Sequence, residues 1–484
     1  MNLRNVKSSV VAGLVVTTIT STQALILAPA LIAAVGVSAY GAWIVAADVF
    51  MVLQLFDFGL TAYSAQRIAA ANSEGKTQLS ASHFFATITI VSALVLVLLA
   101  TSFTVLSLIS NPATLSANEA SALKNCIAIG IIAVAIQLIS YSFIAPARAL
   151  QDLSLVNIFA VVAAAGGLIL TIALLFLDFG LYAAAAGLLL RSLINLIGGI
   201  LSWHRLRLTL NARIITRKSY LTALRDQVSN APSTFIGNFS VLALNTCDNI
   251  IIGIASGPNA VALYSITKKL FDFCRTISDI LAYSAYGGLS ATVAKLKERD
   301  RNLSLLKYIA IAFLFSIALA IPAISANELF VTLWVGFSHY GGTNLVLFIA
   351  SATILSSTSN FTFTALRSEG SFKTATLAVF IEFLAKALLG ATLVSIIGAP
   401  GMPIAATVGA LIAVAIALHK FSTKNIPATF LPLVPLLHLC LASAILAVTS
   451  AFVVKTLWLN ALIFLTCSFI SLVIIRKLES HART

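Results

Sequence analysis

The chain has 484 residues, of which 60% are hydrophobic and 10% charged, and it carries a formal net charge of +14. A soluble domain is about 45–50% apolar and about 25% charged, so this balance excludes a soluble enzyme, a disordered chain and a nucleic-acid binder. A spanning helix needs about 20 apolar residues; the length holds about fourteen of them, with short loops and no large soluble domain.

Met1 to Lys7 followed by an apolar run mimics a signal peptide, and Ala28-Pro29-Ala30 resembles a cleavage site. The run from Ser9 to about Val35 is too long for that and more spans follow, so it reads as a retained first helix. Apolar segments then succeed one another at 9–33, 41–64, 83–108, 124–146, 155–177, 181–203, 229–254, 260–289, 305–327, 343–366, 374–397, 402–419, 428–452 and 456–475. Gly, Ala, Ser and Thr are scattered through them, as helices need for close approach in lipid. The expected fold is an all-α polytopic membrane protein of about 14 transmembrane helices: two pseudo-symmetric six-helix lobes plus a C-terminal helix pair. The lobes are placed at 1–203 and 229–420, joined by a basic cytoplasmic linker at 204–228, with the final pair and tail at 421–484.

Orientation follows from the basic residues. With the N-terminus inside, 23 Lys and Arg fall in cytoplasmic segments and 2, Lys124 and Lys455, fall outside. The other five lie within helices. This is the positive-inside bias; it puts both termini in the cytoplasm and accounts for the net charge without nucleic acid. A weak internal repeat appears at an offset of 221, where Gly36 to Trp43 faces Gly257 to Tyr264, each a short outer turn leading into the next helix. Six helices per half give the two repeats one orientation. The shared tetrapeptide at Leu55–Phe58 and Leu270–Phe273 sits at a different offset and reads as chance.

Five cysteines, Cys126, Cys247, Cys274, Cys440 and Cys467, lie in apolar runs and read as buried thiols. The six His show no metal-ligand spacing, and there is no catalytic or cofactor motif, so no metal, cofactor or enzymatic activity is expected.

Ionisable residues within spans cost about 2.5–3.5 kcal/mol each on insertion scales and usually face a cavity or the bundle interior. The eighth segment holds Lys268, Lys269, Asp272, Arg275 and Asp279. Four of them, at spacings of 4, 3 and 4, share one helix face with alternating sign, and Lys269 lies about 100° away. One reading is a cavity wall that meets an anionic group; the other is a self-paired structural stripe. Glu382 and Lys386 form an expected i,i+4 pair near the midplane of the eleventh segment. Arg191, Asp248, Asp48 and Asp57 are further cavity candidates, although Asp57 and Asp178 sit in Asp-Phe-Gly-Leu stretches that suit helix ends. In the polar runs of the first and tenth segments, Gln23 and Asn360 are the residues that need partners beyond their own helix.

The chain resembles the polysaccharide repeat-unit flippases of the multidrug/oligosaccharidyl-lipid/polysaccharide exporter superfamily. Four stretches carry the likeness: Ala28–Leu31 with Tyr40–Trp43, Phe56–Leu60, Asp248–Gly253 with Val261–Ile266, and Leu366–Lys373. The resemblance implies two six-helix lobes around a central cavity, and alternating access. The cargo it implies is an undecaprenyl-pyrophosphate-linked oligosaccharide crossing the bacterial inner membrane for O-antigen, capsule or exopolysaccharide synthesis. It also implies proton or sodium coupling, for which Asp48, Asp57, Asp248, Glu382 and Lys386 are the candidates. Basic residues, here Lys268, Lys269, Arg275 and Arg191, would meet the pyrophosphate, with Asp272 and Asp279 beside them. Membrane lipids, a polysaccharide polymerase and chain-length proteins are the implied partners. A multidrug cation antiporter or a peptidoglycan-precursor flippase of the same superfamily stands as the alternative. A membrane polymerase or ligase is disfavoured, because the longest outer loop, Glu328 to Gly342, has no paired carboxylates.

Overall fold

A computed structural model describes residues 3–108, 117–207 and 216–422. Among these residues there are α-helices and short 3-10 turns but no strand. The helices are α1 (Leu3–Leu53), α2 (Leu60–Ser73), α3 (Thr77–Leu108), α4 (Ala117–Ala149), α5 (Ser154–Phe176) and α6 (Leu181–Leu206), then α7 (Arg217–Ser256), α8 (Pro258–Val293), α9 (Glu298–Trp334), α10 (Thr343–Ser368), α11 (Phe372–Ile397) and α12 (Gly401–Ser422). Among the described residues, ten spans are long and apolar enough to cross a membrane. Helix α8, with five charged residues and the polar stretch Tyr283–Ser290, is long enough but is not among them. The expected final helix pair, 428–452 and 456–475, lies outside the described residues.

The chain divides into two compact units after Leu242, within α7. In the first unit α4 packs against α6, α3, α2 and α1, and α5 packs against α6 and α1. Phe84 of α3 stacks on Trp203 of α6 with 3.6 Å between ring centroids, beside buried Ile68 of α2. Gly167 of α5 and Gly187 of α6 let those two backbones meet: a Cβ on Gly187 would lie 2.7 Å from the Gly167 carbonyl oxygen. In the second unit α10 is the central helix, packed against α8, α9, α11 and α12.

Helix α1 breaks at Gly36, so its first arm matches the first expected segment and its second arm the start of the next. The expected segment 41–64 is not one helix, however. It gives way to a 3-10 turn at Gln54–Asp57, and Phe58 and Gly59 take positive φ before α2 starts. The Asp57 carboxylate accepts the Gly59 N–H at 2.9 Å and stabilises this break. A second difference concerns the linker: residues 217–228, expected in a loop, are helical in α7. Polar contacts hold them to the first unit. Arg67 of α2 grips Asp226 through two hydrogen bonds of 2.7 and 2.8 Å, Tyr63 donates to the same carboxylate, and buried Gln227 donates to the His83 carbonyl at 2.8 Å. Binary patterning marks residues 217–228 as polar and hence as loop, whereas here the polar side chains bond to one another.

Helices α2, α4 and α10 end in the same kind of turn. After α4, the N–H groups of Leu150, Gln151 and Asp152 donate to the carbonyls of Pro146, Arg148 and Ala147. After α10, those of Glu369, Gly370 and Ser371 donate to Ala365, Arg367 and Leu366 in the same order. Gln151 and Gly370 both take positive φ, as this helix ending demands.

Candidate functional site

The first unit holds a cavity of about 670 Å³ between α1, α4, α5 and α6. Each helix offers one face to it. Gln137, Tyr141 and Arg148 follow one another down α4, Arg191 and Asn195 continue the α6 face that begins at Gly187, and Gln23 and Gln54 come from the α1 side. These intervals of four, seven and four residues keep side chains on one side of a helix. Tyr141 donates to Gln54 at 3.0 Å, and the Asn195 amide donates to Gln137 at 3.1 Å. Two arginines line the cavity, and no Asp or Glu does. Among the described residues, no carboxylate lies within ion-pair distance of either guanidinium. Asp48 and Asp57 are on the neighbouring segment but outside the lining.

The second unit carries the charged network, and there the acids and bases match. Asp248 of α7 is buried and accepts from Lys386 of α11 at 2.5 Å, Lys268 of α8 at 3.0 Å and the Tyr264 hydroxyl at 2.9 Å. Lys386 also donates to the Leu244 carbonyl at 2.7 Å. Lys268 lies 3.7 Å from Asp272. Arg275 donates to Asn245 at 2.6 Å and sits 4.0 Å from Asp279, whose other oxygen accepts the Asn360 amide at 2.6 Å. Glu382 accepts the Ser359 hydroxyl at 2.6 Å. A carboxylate on a neighbouring helix captures Lys386, so the Glu382–Lys386 pair expected from spacing does not form. Lys269 has no ion-pair partner among the described residues.

The sequence candidates therefore separate. Asp248, Lys268, Asp272 and Lys386 are drawn together in one network, Arg275 and Asp279 pair further along α8, Glu382 bonds to Ser359, and Arg191 stands apart in the first unit. Residue-level reading missed Arg148, Gln137, Tyr141 and Asn195. Their spacing on one helix face was the available signal, but uncharged polar residues do not stand out among the many Ser and Thr of these spans.

A model of the family described as polysaccharide biosynthesis protein matches residues 6–286, more than half of the chain. The chain belongs to this family. No curated protein matches it. Solved structures do, at the level of fold. A multidrug resistance MATE family transporter of the MOP superfamily, in an inward-facing conformation, aligns over 84% of this chain and 96% of its own, with a TM-score of 0.63 and 16% identity. The lipid II flippase MurJ, in an inward closed conformation, aligns over 97% and 99%, with a TM-score of 0.64 and 16% identity. A MOP superfamily transporter from Pyrococcus furiosus, described as having a binding pocket of reverse polarity, aligns over 86% and 95%, with a TM-score of 0.52 and 16% identity. This family member thus shares the fold of these transporters.

Proposed function

We propose that this protein is a flippase, moving an undecaprenyl-pyrophosphate-linked oligosaccharide from the cytoplasmic to the periplasmic leaflet of the bacterial inner membrane by alternating access. The observation that carries this reading is the acid-free cavity with Arg148 and Arg191. An arginine in a membrane span without a counter-ion is costly unless water or an anion meets it. The pyrophosphate is the hardest part of such a lipid to desolvate, and guanidinium forks bind phosphate oxygens bidentately. The polyprenyl tail stays in the bilayer while the head group passes the polar side chains. Gln23, Gln54, Gln137, Asn157 and Asn195 offer donors and acceptors for the head group. In this reading the phosphate role falls to Arg191 and Arg148, because Lys268 and Arg275 already serve acceptors of their own.

Cytoplasmic termini follow from the 23 to 2 distribution of Lys and Arg. Asp248 and Glu382 are the buried carboxyl groups on which proton or sodium coupling would act. Export of cationic drugs is the rival reading, and two unpaired guanidinium groups oppose it, because like charges repel strongly where water is scarce. The test is the leaflet distribution of lipid-linked oligosaccharide in cells lacking the protein. Accumulation on the cytoplasmic side, relieved by the wild-type gene, is expected. An unchanged distribution, together with increased sensitivity to cationic drugs, would favour the rival.

A further inference from the structure

The polar face of α8 does not stop at its ion pairs. Arg275, Asp279, Tyr283 and Tyr286 follow at intervals of 4, 4 and 3 residues, so they share one face. Tyr283 is 60% exposed and Tyr286 38% exposed, and the Asp279 side chain is 31% exposed. A face turned to lipid would not keep Arg275 and Asp279, and a face packed against protein would not leave two tyrosines open. Neighbouring groups from α10 complete the surface. Asn360 fixes one Asp279 oxygen, and Arg367 rests on the Phe363 ring at 4.1 Å in the neighbourhood of both tyrosines.

The geometry points to a carbohydrate subsite on this face of the second unit. A sugar ring presents an apolar C–H face and a rim of hydroxyls. Tyr283 and Tyr286 supply aromatic faces for the first, Asp279 supplies a carboxylate that accepts hydrogen bonds from hydroxyls, and Arg367 supplies donors. Aromatic walls with a few fixed polar groups are the usual build of a small-molecule site. The inference rests on the flippase reading and names the part of the cargo that this face takes, the oligosaccharide rather than the pyrophosphate.

The test uses the full-length protein in nanodiscs, titrated with two probes. One is undecaprenyl pyrophosphate; the other is the lipid-linked oligosaccharide extracted from the producing bacterium. Wild-type protein should bind the glycosylated lipid more tightly. The pair of substitutions Tyr283→Ala and Tyr286→Ala should weaken that binding about tenfold, as expected for two lost aromatic contacts, and leave the bare lipid within about twofold. Tyr283→Phe with Tyr286→Phe should keep most of the affinity, since the rings remain. Alanine variants that bind the glycosylated lipid as wild type does, or that lose both lipids equally, would overturn the subsite. So would wild-type protein that binds both lipids equally, with the flippase reading left standing. Wild-type protein that binds neither lipid would overturn both.

Discussion

Gly36 and Gly257 hold the same backbone conformation, φ 79° and ψ 167° in one and φ 82° and ψ 172° in the other. They are 221 residues apart, the offset of the weak sequence repeat. Each breaks the chain between the first two helices of its half. This region of backbone space belongs almost entirely to glycine. A Cβ would meet nothing within 4 Å at either position, so an alanine there would suffer backbone strain alone. Gly36→Ala and Gly257→Ala should each lower stability by about 1–3 kcal/mol, read as earlier thermal unfolding in detergent. No change in either variant would show that the breaks are not imposed by glycine.

Asp248 is held from three sides, whereas each lysine that it binds has one main carboxylate. Removing the acid leaves the buried Lys386 ammonium without a carboxylate and Lys268 with only the more distant Asp272, and breaking a buried pair this way costs about 3–5 kcal/mol. Asp248→Ala should therefore reduce folded protein sharply in fluorescence-detected size exclusion. Lys386→Met should do less harm, because Lys268 and Tyr264 still serve the carboxylate. Adding Lys386→Met to Asp248→Ala should recover part of the loss. Equal damage from both single variants would contradict this order.

The Gly167–Gly187 contact sets the distance between α5 and α6. Gly187→Val would drive a side chain into the backbone of α5, and overpacking of this kind costs about 1–3 kcal/mol. Because Arg191 lies one turn further along α6, the same variant should also weaken lipid pyrophosphate binding. Normal stability and normal binding in Gly187→Val would show that the helices can separate freely here.

The Arg67 fork holds the Asp226 carboxyl below the usual carboxylate range. A group whose folded value is depressed contributes stability above its unfolded value, about 3.9, and that contribution fades as pH falls through the lower folded value. Wild-type protein should thus lose thermal stability below about pH 4 more steeply than Asp226→Asn, which has no carboxylate there to protonate. Parallel acid profiles would remove Asp226 as the cause.

Hydropathy made the helical architecture legible, because every backbone group in lipid must be satisfied within its own helix. The Gly36 and Gly257 turns were legible for the same reason as the repeat: a glycine-only conformation leaves a residue-type trace. Side-chain pairing was less legible. Spacing along α11 suggested Glu382 with Lys386, but the nearest acid in space comes from α7, and a single-helix pattern carries no information on which helix lies opposite. The helical start of α7 was hidden because its polar residues read as solvated. Charge counting puts Arg148 among the 23 basic residues of the cytoplasmic segments, whereas it shares a helix face with Gln137 and Tyr141 and lines the cavity with them.

The central claim is that the cavity with Arg148 and Arg191 passes a lipid-linked pyrophosphate head group. Its most direct test is translocation in sealed proteoliposomes carrying a fluorescent undecaprenyl-pyrophosphate-linked oligosaccharide, with label in the inner leaflet detected by its arrival within reach of an external quencher. Wild-type protein should bring the inner pool within reach, and Arg148→Gln with Arg191→Gln, at equal protein content, should leave it protected. Transport by the double variant at the wild-type rate would contradict the account.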